Sequence, residues 1–321
     1  MSTPDPVARM RATFEAIADA YDQSGVPFFV PTAEGLVEAL GPQQGERVLD
    51  IGCGRGAATS LLARAVLPSG AVDAIDLSPA MVEHTRSLLV AQGHDARVEV
   101  RDAGDPALPA ASYDLVCSSL VLFFLPDPAA ALARWVALLA PGGRIGLATF
   151  GEEHPVWSGI NALFTPWLPP GMLDPKVVGP DAPFASDAGM EELLRGAGAT
   201  GVRTVTRRID VPWGDVEGWK AFSMSTGQRA TWATVPAQER DGLEARAAQI
   251  LEDARDESGR VVVGRTCATP SATWAADRDS PRRTARVGPW LRCCTSPVPS
   301  SSVPTTCAVG CRGQPSTWPR V

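Results

Sequence analysis

From residue 47 onward, short apolar runs alternate with stretches whose apolar residues recur at helical spacing. The runs predict strands at Arg47–Ile51, Ala71–Asp76, Arg97–Val100, Tyr113–Ser118 and Arg144–Phe150, and the stretches between them predict helices at Thr59–Val66, Ala80–Gln92 and Pro128–Leu139. Strands this uniformly apolar belong to a parallel sheet covered by helices on both faces. Ahead of them, Met10, Phe14 and Ile17 mark one helix and Leu36, Val37 and Leu40 a second, separated by a break at Pro27 and Pro31. After Phe150 the pattern loosens into Pro, Gly and aromatics, among them Trp157, Phe164, Trp167, Pro169, Pro170 and Met172, which predicts a short helix and a covering loop. A helix at Asp187–Gly196, a strand at Gly201–Val211, helices at Val216–Thr226 and Pro236–Asp256 and a last strand at Arg260–Gly264 complete the pattern. The expected fold is α/β: a doubly wound, Rossmann-like, seven-stranded sheet with an N-terminal helical lid and an insertion after strand five.

The expected organisation is a lid over 1–40, a main domain over 41–266 with the insertion at 151–185, and a tail over 267–321. The tail stands apart because Cys267 to Val321 contains no Glu, Lys, Ile, Phe, Tyr or His and a single Leu. It reads either as a disordered tail or as a frameshifted stretch of GC-rich coding sequence, the second being preferred. Apolar residues make up 45% of the 321, enough for a packed core without disulfides or metals. The net charge of −7 comes without a basic block, which argues against nucleic acid, whose phosphates demand clustered Lys and Arg. Met1–Met10 lacks the order of a secretory signal, and Leu115–Leu125, the most apolar stretch, falls short of a membrane span. A cytoplasmic location is therefore expected, and with it no disulfide framework, although five of the seven Cys lie beyond residue 266.

Chemistry concentrates at the strand ends. Val48-Leu49-Asp50-Ile51-Gly52-Cys53-Gly54-Arg55-Gly56 puts a glycine-rich turn between the first strand and its helix. Such a turn lets a ligand approach bare backbone and the free N–H groups of a helix start. Gly52, Gly54 and Ala57 also satisfy the dinucleotide pattern G-x-G-x-x-G/A, so a nicotinamide or flavin enzyme enters consideration. Asp50, beside the turn, would repel a pyrophosphate but suits a ligand bearing an ammonium and a sulfonium. Asp76 ends the second strand at the distance of a ribose-binding acid, and Asp102 follows the third.

As a set, these segments resemble the class I S-adenosylmethionine-dependent methyltransferases, in particular the small-molecule branch related to menaquinone and ubiquinone C-methyltransferases. The resemblance covers roughly residues 10–265 and adds the A-I-D-L-S-P-A-M segment (Ala74–Met81), Arg101-Asp102-Ala103, Y-D-L-V-C-S-S-L from Tyr113, L-L-A-P-G-G-R (Leu138–Arg144) and F-E-A-I-A-D-A-Y-D (Phe14–Asp22). It implies S-adenosyl-L-methionine as cofactor, with Gly52 and Gly54 under its methionine part, Asp76 on the ribose, and Leu77 and Met81 against the adenine. Asp102 and Ala103 would read the adenine edge, Ser118 would face the methionyl group, and Tyr21 would help cover its carboxylate.

Methyl transfer is an in-line displacement that asks the protein mainly for alignment. No metal-ligand spacing is present, so no metal is expected. Of three histidines, His84 and His94 read as solvent-facing, and His154, just after strand five, is the candidate general base. The aromatics of Trp157–Phe184, with Trp213, Trp219, Phe28 and Phe29, would roof an apolar acceptor. The expected partner is thus a small organic acceptor, methylated on O, N or C in a secondary-metabolite or quinone-like pathway, with neither nucleic acid nor membrane; a homodimer stays open. The alternatives are a nicotinamide-dependent oxidoreductase and a non-catalytic cofactor-binding subunit. The first expects a Tyr-x-x-x-Lys pair, which neither Tyr21 nor Tyr113 forms.

Overall fold

The computed structural model describes residues 5–151, 153–168, 182–257 and 261–274; Pro169, Pro170 and Met172 of the expected covering loop, and the tail beyond Trp274, lie outside them. Seven strands are described: β1 (Arg47–Ile51), β2 (Ala71–Asp76), β3 (Arg97–Val100), β4 (Tyr113–Ser119), β5 (Leu139–Phe150), β6 (Thr200–Pro212) and β7 (Val262–Thr273). They pair in the order β3-β2-β1-β4-β5-β7-β6. The first five run parallel, whereas β7 is antiparallel to both β5 and β6. The chain leaves β1 in one direction through β2 and β3 and returns on its other side through β4 and β5. The crevice at the carboxyl ends of β1 and β4 is therefore the switch point where such sheets hold ligands.

Alternation along the strands divides the core between two faces. Val48 and Leu115 pack with Leu62, Val66 and Val82 on one side, beneath α2 (Phe29–Leu40), α3 (Ala57–Val66) and α4 (Pro79–Ala91). Leu49 and Val116 pack with Leu132, Trp135 and Leu194 on the other, beneath α5 (Pro128–Ala137) and α7 (Asp187–Gly196). Helix starts follow side-chain caps. Ser78 Oγ accepts from Met81 N at the head of α4, and Asp127 accepts from Ala130 N at the head of α5.

Over the carboxyl end sits a separate aromatic roof. It joins α6 (Pro155–Ala162), α8 (Val216–Met224), α9 (Arg229–Thr234) and α10 (Ala237–Asp253), and buries Phe28, Trp157, Phe164, Trp213, Trp219, Phe222 and Trp232 together. The N-terminal helix α1 (Pro6–Ile17) lies against α4, with Ile17, Ala18 and Met81 buried in one small cluster.

One expectation is corrected. The last strand does not stop at Gly264: β7 continues to Thr273, so the domain passes the expected boundary at 266. The reason is backbone demand. An inner strand slot must supply hydrogen bonds to both neighbours, and β6 is paired from Pro212↔Val262 to Thr200↔Thr273 whatever the side-chain pattern. Among the described residues no helix is long and apolar enough to cross a membrane, and no group of metal-ligating side chains assembles.

Candidate cofactor and acceptor site

The glycine-rich turn after β1 is held by its own backbone. Gly52 N and Cys53 N donate to Ile75 O at 2.8 and 2.9 Å, Gly54 N donates to Asp76 Oδ2 at 2.9 Å, and Thr85 Oγ1 donates to Gly54 O at 2.7 Å. Gly52 has φ 75°, and a Cβ there would lie 2.3 Å from Val121 Cγ2, so only glycine allows both the turn and the close approach of the loop after β4. Asp76 also accepts from Ser78 N at 2.9 Å through Oδ1. Its burial pushes the pKa upward against these backbone donors, which leaves a carboxylate fixed in orientation with lone pairs to spare.

Three adjoining hollows open around this turn. A cleft of about 80 Å³ is lined by Tyr21, Gly52, Gly54, Asp76, Leu77, Met81, Asp102 and Ala103, which brings eight of the ten expected cofactor residues to one place. Met10 and Phe14 of α1, with Ser119, Val121 and Phe124 from the end of β4, complete its walls. A second hollow of about 410 Å³ continues past the turn and is lined by Tyr21, Asp22, Asp50, Arg55 and Ser119. Asp50 is buried at its base, where its carboxylate accepts from Thr59 Oγ1 at 2.6 Å and from Cys117 Sγ at 3.7 Å. Burial raises its pKa to about 6, with the Thr59 and Cys117 bonds opposing the shift. Asp22, half-buried, is also raised to about 6 by burial, with Arg55 pulling the other way.

The third hollow is an aromatic cavity of about 400 Å³ beneath the roof, within the range of small-ligand pockets. Phe28, Phe123, Phe150, Trp157 and Phe222 form its walls, and Asn161, Thr226, Gln228 and Thr231 are among its polar lining residues. Tyr21 lines all three hollows. Its ring packs against Phe29 (centroids 4.6 Å apart) and edge-on to Phe14 (6.2 Å). Burial, then the charges of Asp22 and Asp76, push its pKa far upward, so the phenol stays protonated and can donate.

The lid is pinned by polar contacts. Glu15 Oε2 accepts from Ser78 Oγ at 2.5 Å and from Ala80 N at 3.2 Å, Arg55 Nη1 donates to Ala18 O at 2.7 Å, and His84 Nε2 lies 3.0 Å from Asp19 Oδ1. His84 is thus part of the lid contact, where the sequence suggested plain solvent exposure.

Two expected residues are not brought to the hollows. Ser118 is buried within the sheet and donates to Ile51 O at 2.7 Å; its neighbour Ser119 faces the site instead, because successive strand residues point to opposite faces. His154 caps α6, with Nδ1 accepting from Val156 N at 3.3 Å, and does not line the aromatic cavity. The residues that sequence reasoning missed are Ser119, at the end of β4, and Leu120, Val121 and Phe124 in the apolar run that follows. The strand parity set by Leu115 and Cys117 is the signal that finds Ser119.

The geometry has counterparts among known proteins. The methyltransferase-domain family matches residues 48–143, from β1 to the start of β5. Nocamycin O-methyltransferase of Saccharothrix syringae is 32% identical over 253 residues, which cover 75% of this chain and 89% of the relative. The chain belongs to the class I S-adenosylmethionine-dependent methyltransferases. A further relative of this methyltransferase, aklanonic acid methyltransferase DauC of Streptomyces sp. (strain C5), is 40% identical over 162 residues, 50% of this chain and 74% of that protein. The crystal structure of the YcgJ protein of Bacillus subtilis shares this chain's fold, with a TM-score of 0.53 at 15% identity over 76% of this chain and 98% of that one. The cofactor of the family is S-adenosyl-L-methionine, and the residues of the turn fit it. Bare backbone at Gly52 and Gly54 leaves room for a chain to pass, and the acids at Asp50, Asp76 and Asp102 suit a cationic nucleoside rather than a pyrophosphate. The enzyme transfers methyl groups from S-adenosyl-L-methionine.

Proposed function

We propose that this methyltransferase moves a methyl group onto an oxygen of a flat aromatic acceptor seated in the cavity beneath the roof. The observation that carries the reading is continuity. The aromatic cavity shares Phe14, Tyr21, Leu120 and Phe124 with the cleft that holds Asp76 and Asp102, so a ring in one abuts a nucleoside in the other. Asp76 accepts from the ribose hydroxyls, the Asp102–Ala103 segment meets the adenine edge, and Leu77 and Met81 pack on its faces. Asp50 and Asp22 supply the negative potential that favours an ammonium and a sulfonium in the adjoining hollow. Ser119 takes the place expected of Ser118.

Bound S-adenosylmethionine supplies a methyl carbon on a cationic sulfur. The acceptor oxygen, its proton already lost to solvent before Tyr21 closes the junction, would take that methyl in line as the carbon–sulfur bond breaks and its electron pair stays on the thioether. The chain's contribution is alignment, which tight positioning makes worth about 7–11 kcal/mol. Tyr21 closes the junction and keeps water from it, and among the described residues it is the sole titratable side chain lining the aromatic cavity. Incubation with labelled S-adenosylmethionine and a panel of phenols, amines and carbon nucleophiles, read by mass spectrometry, tests the reading. A single methyl on oxygen of aromatic members is expected; transfer to aliphatic amines alone would refute it.

A further inference from the structure

The geometry points to Gln228 as the residue that selects the acceptor, by accepting a hydrogen bond from a hydroxyl of the ring system other than the one that is methylated. This rests on the aromatic cavity being the acceptor site.

The cavity's walls are carbon, so its few polar atoms decide orientation. Thr226 is committed within the chain: its hydroxyl donates to Ser223 O at 3.0 Å and accepts from Gln228 N at 3.2 Å. Asn161 and Gln228 belong to a directed chain of hydrogen bonds. Glu153 Oε1 accepts from Asn161 Nδ2 at 2.8 Å, and Asn161 Oδ1 accepts from Gln228 Nε2 at 3.1 Å. An ionised carboxylate can only accept, so Glu153 fixes which way the Asn161 amide points, and Asn161 in turn fixes Gln228. Glu153 Oε2 also accepts from Ser158 Oγ at 2.8 Å, which holds the carboxylate in place on α6.

The consequence is a polarity. With its Nε2 turned to Asn161, Gln228 keeps Oε1, an acceptor with no other partner among the described residues, free for a ligand in the largely apolar cavity it lines. A ligand that fills the cavity and removes water leaves that oxygen unpaired unless the ligand brings a donor. Such sites reject analogues lacking the hydroxyl, because burying an unsatisfied acceptor is costly. The acceptor class is therefore a flat aromatic with a second hydroxyl besides the one that is methylated. Thr231, one turn along α9, lines the same cavity and allows a further polar substituent. Gln228 is the binding residue, and Glu153 acts through Asn161 as a positioning residue.

Two probes that differ at one position, 2-hydroxyanthracene and 2-methylanthracene, test this by quenching of tryptophan fluorescence in protein saturated with S-adenosylhomocysteine. The hydroxyl probe is expected to bind about three- to tenfold tighter to the unmodified protein. Gln228→Leu should abolish that ratio while 2-methylanthracene keeps its affinity, which also shows that the variant is folded. Glu153→Gln, which can donate as well as accept, should shrink the ratio with the methyl probe again unaffected. An unchanged ratio in Gln228→Leu overturns the proposal while leaving the aromatic cavity intact. Failure of both probes to bind the unmodified protein, with S-adenosylhomocysteine still bound, overturns the cavity reading and the proposal together.

Discussion

Asp50, Asp76 and Asp102 stand at three successive strand ends, yet the structure gives them different work. Asp76 is tied by Gly54 N and Ser78 N, and faces the cleft; Asp102 turns on itself, accepting from Gly104 N at 2.7 Å; Asp50 lies at the floor of the next hollow. Asp76→Asn should weaken S-adenosylmethionine binding at least tenfold in calorimetry, because one oxygen of a charged acceptor is replaced by a donor facing Gly54 N. For Asp50 and Asp22 the sign of the pH effect follows from the raised values of about 6. A cationic donor favours the ionised carboxylates, so its affinity should rise as pH goes from about 5 to 7, with proton release on binding, and level off above that range. The folded pKa of Asp50 lies above the unfolded value of about 3.9. Its ionisation therefore costs stability, a cost absent at low pH that grows as pH rises to about 6. Asp50→Asn should accordingly raise the Tm at pH 7 and flatten the pH dependence of donor binding. Eight of the ten expected cofactor residues line one cleft and Asp50 the adjoining hollow, because a motif constrains position. Ser118 lies one residue off the hollows because parity along a strand depends on where the first residue points, which spacing in the motif does not record.

At the scale of elements, α1 is the part whose role is set by its contacts. Glu15 accepts from the Ser78 hydroxyl and Ala80 N at the head of α4, while Met10 and Phe14 narrow the cleft from above. A nucleoside in that cleft must displace some of those side chains, since about 80 Å³ is too small for it. Amides of α1 should therefore change their hydrogen-exchange protection when S-adenosylmethionine is added, and Glu15→Ala should raise its KM several-fold; unaltered exchange across Pro6–Ile17 would remove the lid role. His154→Ala should leave turnover unchanged and cost about 1 kcal/mol in stability through the lost cap on α6. The parallel strands and their helices were legible because burial on both faces leaves a continuous apolar run. The short helix α9 carried no such signal, being only Arg229–Thr234 long and held by packing of Trp232 into the roof.

For the molecule as a whole, the sheet needs β7, and the sequence that fills it is ill suited. Pro270 lies in an inner strand, pairing with β5 lapses between Ser271 and Ala268, and Thr269 and Ser271 are buried polar residues. Together with the change in composition at residue 267, this supports the reading that the chain beyond that point departs from the frame that encodes the rest. Coherent apolar strand sequence in another frame of the gene is the expected finding, and none in either alternative frame would remove it.

The central claim is that a nucleoside on Asp76 and an aromatic ring under Phe28 and Trp157 meet at Tyr21. A crystal structure with S-adenosylhomocysteine and 2-hydroxyanthracene bound tests it most directly. The ribose hydroxyls should lie on the Asp76 carboxylate, and the ring should lie in the aromatic cavity with Tyr21 beside both the ring and the sulfur. A ribose held away from Asp76, or a ring bound outside that cavity, would contradict it.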